Sequence, residues 1–395
     1  MVRLVKYQVW KLPPNFFELK SDAERWCALE SVCVPAEPLD KPRTIDDVPM
    51  SAWEQGIVIC YCSLVALPLA IPALSLSFMY FGCWRLLGVT LAGTLTLALQ
   101  PLPFSRESRC KPIGILLCRY FALEFVCDRD AGHIAEVFGT RMVRHATTPT
   151  PALKDGRRSA RLSNEAVSPS GPMINCACPH GVMNFGAVAF CFLSRWLIGN
   201  DQVTAVASAV KHTPGLRQFA APIWPVGASR KELSTRLKER GQTVGIIPDG
   251  INGIFARRKE DGSVMAADAV VIGSKRGLMR LALESGALVM ASYFVGTLGI
   301  YTVWQDRWGV LRWLSRKTRL SLFLFYGRWG LPIPRRHPIT AIGGFTPAPD
   351  GAPIAHPSAQ QLDEHHQRVY GGLAQAYEDA RAALGLPEGS KLLIK

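Results

Sequence analysis

Two long apolar runs follow one another near the start of the chain. Residues 55–84 contain no charged side chain over 30 positions, and residues 86–105 add another 20 such positions after Arg85. A helix of about 20 apolar residues spans the roughly 30 Å hydrocarbon layer of a bilayer, and two such helices in succession are unusual in a soluble core. The pattern therefore predicts a membrane-embedded hairpin, transmembrane or re-entrant, over residues 55–105.

A hairpin returns the chain to the side of the membrane from which it came. The segment before it, residues 1–54, contains 7 basic and 9 acidic residues, whereas residues 105–395 contain 37 basic and 22 acidic residues. Lysine and arginine are enriched on the cytosolic side of membrane proteins. We therefore expect a short cytosolic N-terminal segment (1–54) and a cytosolic C-terminal domain (106–395).

The C-terminal domain alternates between strand and helix patterns. Strands followed by helices of 10 to 15 residues are typical of a mostly parallel sheet covered by helices on both faces. In such α/β folds, ligands bind at the carboxyl ends of the strands. The predicted strands are 173–179, 203–210, 223–226, 244–248 and 287–294, and the predicted helices are 184–196, 214–219, 229–241 and 274–285.

One segment interrupts this alternation. Residues 144–172 are rich in Ser, Thr, Pro and Arg and contain few residues that could be buried. Such a composition is typical of a disordered, solvated loop. We interpret it as an insertion in the C-terminal domain, and a phosphorylation switch there remains an alternative.

Composition narrows the class of protein but does not identify its ligand. Hydrophobic residues make up 48% of the chain and charged residues 19%, which excludes a disordered chain. The net charge of +14 arises in the C-terminal domain and would suit nucleic acid, anionic lipid or phosphorylated substrates. All eleven cysteines lie at or before Cys191, and their odd number favours reduced thiols on the cytosolic side.

A histidine follows the first predicted strand of the domain. His180 and Gly181 lie where that strand ends and a helix is about to begin, so His180 would have helix N-terminal amides nearby. This position suits a general base, and a structural histidine is the alternative. Metal binding by Cys176, Cys178 and His180 is disfavoured because no fourth ligand has a recognisable spacing, and we predict no metal.

Two further motifs lie at the same predicted edge of the sheet. Asp249 and Gly250 follow the strand at 244–248, and Lys275, Arg276 and Gly277 open the helix that precedes the last predicted strand. Cationic side chains together with free backbone amides at a helix start favour a phosphate. The alternative is a solvated charged surface.

At these residues the chain resembles a known family. Cys178-Pro179-His180-Gly181 is similar to the His-Pro-His-Gly block of the type-2 diacylglycerol acyltransferase family, which is related to the lysophospholipid acyltransferases. The resemblance extends over about residues 113–391 as an ordered series of short motifs. These are Tyr120-Phe121, Pro214-Gly215, Pro225-Val226, Ser229-Arg230, Pro248 with Gly250, Arg276-Gly277, 293–296, 332–336 and 385–387.

The chain departs from the family pattern at the residues expected to form the catalytic site. Cys178 replaces the first histidine of the block, so only His180 is carried over as the catalytic histidine. Asp249 occupies a glycine position, and Gly253 lies where the family has a glutamate. Phe185 stands where related acyltransferases have an aspartate, so an orienting partner for His180 must come from elsewhere, and Asp249 is the candidate.

The resemblance implies an acyl-CoA-dependent O-acyltransferase that makes triacylglycerol from diacylglycerol. It implies His180 as general base with Gly181 and Asp249 as the other catalytic residues, and a glycerolipid acyltransferase-like fold. The residues expected to bind substrate are Cys178, Pro179, Gly250, Lys275, Arg276 and Gly277. The same chemistry on monoacylglycerol, a fatty alcohol or a sterol is the nearer alternative, and a non-catalytic lipid-binding relative is the other.

The resemblance also implies the partners and the location of the protein. The expected partners are acyl-CoA as substrate, diacylglycerol or another lipid alcohol, and the bilayer, with no nucleic acid. No cofactor is expected, and both a monomer and an oligomer remain open. The expected location is the endoplasmic reticulum membrane with the catalytic domain in the cytosol, and lipid droplets are an alternative location.

Overall fold

The structure of the protein is a computed structural model. The residues that it describes are 7–11, 34–35, 45, 48–100, 111–128, 172–197, 202–254, 268–270, 276–304, 308–318, 322–346, 348–349, 352–386, 388 and 390–394. The predicted insertion at 144–172, apart from Pro172, and the predicted phosphate ligand Lys275 therefore lie outside the described residues.

The described strands form one large sheet and two small ones. In chain order they are β1 (Tyr7–Lys11), β2 (Val34–Pro35), β3 (Glu124–Asp128), β4 (Met173–Cys178), β5 (Gln202–Val206), β6 (Pro225–Gly227), β7 (Thr243–Ile246), β8 (Asp268–Val270), β9 (Leu288–Val295), β10 (Thr302–Trp304), β11 (Leu324–Tyr326), β12 (Thr340–Thr346) and β13 (Leu392–Ile394). The large sheet has the order β2-β1-β3-β12-β9-β4-β7-β5-β6. Strands β10 and β11 pair separately, as do β8 and β13.

The centre of the large sheet is parallel. Strands β9, β4, β7, β5 and β6 all run in the same direction, whereas β12 is antiparallel to β9 and parallel to β3. The carboxyl ends of β4, β7 and β9 therefore lie at one edge. This confirms the predicted mostly parallel sheet and brings together the loops in which ligands were expected.

The α-helices surround the sheet. They are α1 (Ala52–Ser63), α2 (Leu67–Tyr80), α3 (Trp84–Leu99), α4 (Lys111–Tyr120), α5 (Phe185–Leu197), α6 (Ser208–His212), α7 (Leu216–Ala220), α8 (Arg230–Ser234), α9 (Gly250–Ile254), α10 (Gly277–Ser285), α11 (Thr297–Ile300), α12 (Val310–Thr318), α13 (Ala359–His366) and α14 (Gly372–Ala380). A π-helical turn, Thr235–Glu239, extends α8, and another, Gln367–Gly371, joins α13 to α14.

Alternate side chains of the sheet enter two different cores. In β4, Met173 and Ala177 belong to the first core, and Ile174, Cys176 and Cys178 belong to the second. Consecutive strand residues point to opposite faces, so one strand serves both cores. Helices α1, α4 and α5 pack in the first core and α8, α10, α13 and α14 in the second. The predicted arrangement of helices on both faces is confirmed.

The predicted elements agree with the structure except at some boundaries. Strand β5 ends at Val206 rather than Val210, because the neighbouring β6 has three residues and the last of them pairs with Val206. Helix α7 begins at Leu216 rather than Pro214, because Gly215 has a φ of 86°, which lies outside the helical range. Neighbouring strands and local glycine geometry, rather than hydrophobicity, set these boundaries.

An apolar helix precedes the sheet domain. Helices α1 and α2 join into one continuous helix, Ala52–Tyr80, which is long and apolar enough to cross a membrane. Its first half is buried at Val58 and Cys62, whereas no residue of α2 or α3 is buried. We call α2 and α3 the apolar helix pair. The pair exposes large side chains over its whole length, such as Leu76 and Val89.

The base of the apolar helix pair is fixed to the sheet domain. Arg217 Nη1 donates hydrogen bonds to the carbonyls of Leu97, at 3.1 Å, and Ala98, and Gln218 Nε2 donates to Leu97 at 2.6 Å. Carbonyls in the last turn of a helix have no partner within the helix, and a cation there also interacts favourably with the helix dipole. Helix α7 thus holds the end of α3.

The chain before the apolar helix pair joins the same sheet as the chain after it. Strand β1 pairs antiparallel with β3, which follows the pair in sequence. Glu54, at the start of α1, forms an ion pair with Arg119 of α4, and Arg336 donates a hydrogen bond to the Val48 carbonyl. The segments before and after the apolar helices therefore pack on the same sheet domain.

Candidate active site

Loops from three parallel strands meet at one edge of the sheet. His180 follows β4, and its backbone N–H donates a hydrogen bond to Asp249 Oδ2, after β7, at 3.0 Å. A Cβ atom added to Gly181 would lie 3.4 Å from Leu298, which follows β9. The structure therefore brings together His180, Gly181, Asp249 and Gly250, four of the residues that the sequence singled out.

Asn184 fixes the loop that contains His180. Its Oδ1 accepts the backbone N–H of Ala187 at 2.8 Å and so caps α5, while its Nδ2 donates to the Pro179 carbonyl at 2.9 Å. The Asn184 side chain is fully buried. Asn184 was not among the candidate site residues, although asparagine immediately before an apolar helix is a strong capping signal.

An aromatic cluster supports the start of α5. The Phe185 ring stacks on Phe121 with centroids 5.2 Å apart and contacts Phe219 at 6.1 Å and Tyr301 at 6.0 Å. Phe219 in turn stacks on Tyr61 of α1 at 4.8 Å. Phe185 thus connects the His180 loop to the helix that leads into the apolar helix pair.

The His180 imidazole has a defined tautomer. Its Nδ1 lies 2.9 Å from the carbonyl oxygen of Gly181. Because a carbonyl can only accept a hydrogen bond, Nδ1 must be the donor, and in the neutral ring Nε2 then has a lone pair. The ring is half-buried. His180 can therefore accept a proton at Nε2 without changing its contact with Gly181.

Asp249 is a fully buried carboxylate next to this histidine. Burial raises its pKa from 3.8 to about 6, while the charge of His180 and backbone N–H groups at positions 180, 249 and 250 oppose the rise. Its Oδ1 has no hydrogen-bond partner among the described residues. Asp249 can thus change protonation near physiological pH, and it has one oxygen available for a further donor.

Gly253 leaves the space that Asp249 needs. A Cβ atom at position 253 would lie 1.9 Å from Asp249 Oδ2 and 3.0 Å from Oδ1. Gly250, between them, has a φ of 50°, which favours glycine. The carboxylate at 249 and the glycine at 253, both departures from the family pattern, are therefore structurally dependent on each other.

Cys178 lies in the second core rather than in the open part of the site. Its side chain is fully buried, and burial raises the pKa of its thiol well above the ordinary value, with further contributions from Asp249 and Cys176. Pro179 is also buried. Among the described residues, no group of three or more His, Cys, Asp or Glu side chains has the arrangement of a metal site.

Two of the predicted substrate-binding residues, Arg276 and Gly277, lie at the start of α10. This helix leads into β9, so its first residue, Gly277, lies towards the same sheet edge as His180. Arg276 Nε donates to Asp363 Oδ1 of α13 at 2.6 Å. The guanidinium is therefore engaged by a carboxylate in this structure.

Comparison with known proteins identifies a related family. A family model described as diacylglycerol acyltransferase matches residues 164–395. Diacylglycerol O-acyltransferase 2 of Rattus norvegicus and of Homo sapiens are each 26% identical over 248 residues, which cover 55% of this chain and 58% of theirs. The Xenopus laevis protein of that name is 26% identical over 320 residues, covering 68% of this chain and 82% of its own. No solved structure matches the chain.

The dependence of Asp249 on Gly253 can be tested by stability. Gly253→Ala should lower the free energy of unfolding by about 1–3 kcal/mol, because the added methyl group overlaps a buried carboxylate. The matched control is Gly372→Ala in α14, where nothing lies within 4 Å of the added Cβ and alanine favours the helix. Thermal unfolding in detergent should show a lower midpoint for Gly253→Ala only, and equal midpoints would contradict the steric argument.

Proposed function

The chain belongs to the diacylglycerol acyltransferase family, and from this membership we propose that it transfers a fatty acyl group from acyl-CoA to the free hydroxyl of diacylglycerol, forming triacylglycerol. The observation that carries the proposal is the His180 imidazole, with Nδ1 donating to Gly181 and Asp249 next to it. A glycerolipid acyltransferase-like fold is part of the proposal.

His180 acts as general base in this proposal. Nε2 takes the proton of the acceptor hydroxyl while the hydroxyl oxygen attacks the carbonyl carbon of the thioester. The new C–O bond forms, the C–S bond breaks, and the departing coenzyme A sulfur receives the proton from Nε2. The products are the ester and free coenzyme A, so the histidine returns to its starting state.

Asp249 positions and stabilises the charged form of His180. When Nε2 takes a proton, the ring becomes an imidazolium, and a nearby buried carboxylate favours that charge. The hydrogen bond from the His180 backbone to Oδ2 also joins the His180 loop to Asp249. Gly181 has a φ of 53°, which favours glycine, and backbone amides near it would stabilise the oxyanion.

Arg276 and Lys275 are proposed to bind the phosphates of acyl-CoA, near the first turn of α10. Gly250 and Gly277 would then border the bound substrates, whereas the buried Cys178 and Pro179 would support the loop that contains His180. In this proposal a phosphate competes with Asp363 for the Arg276 guanidinium. No cofactor or metal takes part.

The diacylglycerol acceptor would reach the site from the bilayer into which the apolar helix pair inserts. Helix α2 has 14 residues and α3 has 16, which correspond to about 21 and 24 Å at 1.5 Å per residue. Both lengths are shorter than the roughly 30 Å hydrocarbon layer. We therefore propose that the pair is re-entrant and turns at Phe81–Cys83 inside the bilayer.

The proposed location is the endoplasmic reticulum membrane with the sheet domain in the cytosol, and lipid droplets are an alternative. The pairing of β1 with β3 supports one common side for the chain before and after the helix pair, because a bilayer cannot separate two hydrogen-bonded strands. Oligomers are compatible with this arrangement.

The reaction itself can be tested with two single variants. Membranes containing the protein are incubated with labelled acyl-CoA and, separately, with diacylglycerol, monoacylglycerol, a fatty alcohol or a sterol. The proposal predicts labelled triacylglycerol with diacylglycerol, and a loss of about 10²- to 10⁴-fold in His180→Gln. Cys178→Ala should keep most of the rate, because a buried thiol of raised pKa stays protonated.

Other results of this assay would identify a different acceptor, a different nucleophile or a protein without acyltransferase activity. A different labelled ester would change the acceptor but keep the chemistry, and no ester with any acceptor would support a non-catalytic relative. An equal loss of acyltransferase rate in Cys178→Ala and His180→Gln, at equal expression, would indicate that the Cys178 sulfur is the nucleophile.

The role of Asp249 predicts a pH dependence. The raised pKa means that Asp249 is ionised above about pH 6 and neutral below it. The rate should therefore fall as the pH is lowered through about 6. Asp249→Asn should be about tenfold slower at neutral pH, equal to about 1.4 kcal/mol, and should lose this component of the profile.

The control for Asp249 is an exposed carboxylate on α14. Glu378→Gln should retain both the rate and the shape of the profile. An unchanged profile in Asp249→Asn would show that the carboxylate has only a structural role.

The phosphate-binding role of Arg276 can be separated from its ion pair. Arg276→Gln should raise the KM for acyl-CoA more than it lowers kcat, since ground-state contacts mainly contribute to uniform binding. Asp363→Asn removes the charge of the partner in the same ion pair but keeps the guanidinium, so KM should stay constant or fall. The same increase in KM for both variants would show that the ion pair matters only for structure.

The re-entrant arrangement predicts that both termini lie on one side of the membrane. In sealed microsomes, an added protease should remove tags at Met1 and at Lys395 alike. A glycosylation acceptor sequence inserted between Phe81 and Cys83 should stay unglycosylated, because the turn remains within the bilayer and does not reach the lumen. Protection of one terminal tag alone would contradict the arrangement.

A further inference from the structure

A cluster of large aromatic side chains is exposed far along the sequence from the apolar helix pair. Its members lie on β10, just before and on α12, on β11 and in the turn after β11: Trp304, Trp308, Trp313, Leu324, Tyr326 and Trp329. We call them the aromatic patch. Trp308 is 84% exposed and Trp329 is 74% exposed. Soluble proteins rarely expose so many large apolar side chains together, and such patches mark interaction surfaces.

The aromatic patch is built on an ordered support. Strands β10 and β11 are antiparallel, and Trp304 pairs directly with Leu324. Phe325, between two exposed residues of β11, packs on Tyr301 of the first core with ring centroids 5.0 Å apart. Ser315 of α12 exchanges hydrogen bonds with the backbone of Leu322 at 2.8 and 3.0 Å. The outward orientation of the patch therefore follows from strand alternation and these contacts.

Cations lie directly over three rings of the aromatic patch. Lys317 lies 4.8 Å from the Trp313 ring, Arg328 lies 4.7 Å from Trp329, and Arg335 lies 5.7 Å from Tyr326. None of the described residues between 302 and 336 is acidic. A surface that combines Trp and Tyr with Lys and Arg matches the interfacial layer of an anionic bilayer, where rings enter the headgroup region and cations meet lipid phosphates.

The aromatic patch belongs to the same side of the sheet as the apolar helix pair. Tyr301 and Phe325 pack in the first core, which also contains Val58 and Cys62 from the helix that leads into the pair. Arg336, just after the patch, binds the Val48 carbonyl just before that helix. If the apolar helix pair inserts into a bilayer, the aromatic patch therefore lies on the side of the sheet domain that faces this bilayer.

We propose that the aromatic patch is a second membrane-binding surface that contacts anionic phospholipid at the bilayer entered by the apolar helix pair. This rests on the membrane insertion given under the proposed function. Two separate contacts, one deep and one interfacial, fix the tilt of the sheet domain. Its first core would then face the lipid, while its second core, with α8, α13 and α14, faces the cytosol.

Depth-dependent quenching of tryptophan fluorescence tests the proposal on the full chain. The protein is reconstituted into phosphatidylcholine vesicles, with or without phosphatidylserine, whose acyl chains are brominated close to the headgroup. The triple variant Trp308→Phe, Trp313→Phe and Trp329→Phe should lose a large share of the quenched signal. The control Trp224→Phe, a residue packed against the second core, should keep it.

A charge reversal tests the lipid class. Lys317→Glu with Arg328→Glu, which reverses two of the cations that lie over rings of the patch, should abolish the increase in quenching that phosphatidylserine causes. The matched control, Lys231→Glu with Arg240→Glu, changes two exposed cations at the ends of the α8 segment, on the opposite side of the sheet, and should retain the increase. An equal loss in both double variants would indicate general charge attraction and would overturn the proposal.

Failure of this inference is distinguishable from failure of the membrane insertion. If the apolar helix pair does not insert, the unaltered protein will not float with vesicles, and Trp84 near its turn will not be quenched. If the protein floats but the triple variant is quenched as strongly as the unaltered protein, the aromatic patch does not touch lipid. A dimer in detergent that the triple variant converts to a monomer would instead assign the patch to contact between copies of the chain.

Discussion

The hydrogen bond from the His180 backbone to the Asp249 carboxylate determines the geometry of the site. It joins the loop after β4 to the loop after β7 at 3.0 Å, and the Asp249 side chain that accepts it is fully buried. Because the donor is a backbone group, the bond fixes the position of the chain and leaves the imidazole free for chemistry. The absence of a side chain at Gly253 leaves the space that this carboxylate occupies.

The two faces of the sheet have different tasks. The first core contains the base of the apolar segment, the aromatic cluster at Phe185 and the support of the aromatic patch. The second core contains Cys176 and Cys178 together with the C-terminal helices. Because β4 contributes alternately to both, its carboxyl end places His180 between the two cores. In the proposed membrane arrangement, this position would let a membrane-soluble acceptor meet a water-soluble donor.

Local signals explain which parts of the fold could be predicted from the sequence. The predicted helix at 274–285 ends where expected because Gly286 has a φ of 63°, and the predicted helix at 229–241 begins where the Ser229 side chain accepts the Glu232 N–H. The family resemblance, carried by short ordered motifs, is confirmed. Non-local pairings were not predictable in this way: β1 with β3, and β12 between β3 and β9, join segments far apart in sequence. The burial of Val58, which shortens the exposed part of the apolar helix, depends on packing that hydrophobicity alone does not specify.

The central claim is that the His180 ring performs the proton transfer, and chemical rescue measures this most directly. In His180→Gly the loop keeps its backbone hydrogen bond to Asp249, while the removed ring leaves a space that free imidazole can enter. The account predicts that added imidazoles restore acyl transfer to diacylglycerol in a saturable way, and that the restored rate rises with the basicity of the imidazole. A His180→Gly variant that retains the unaltered rate without imidazole would contradict the account.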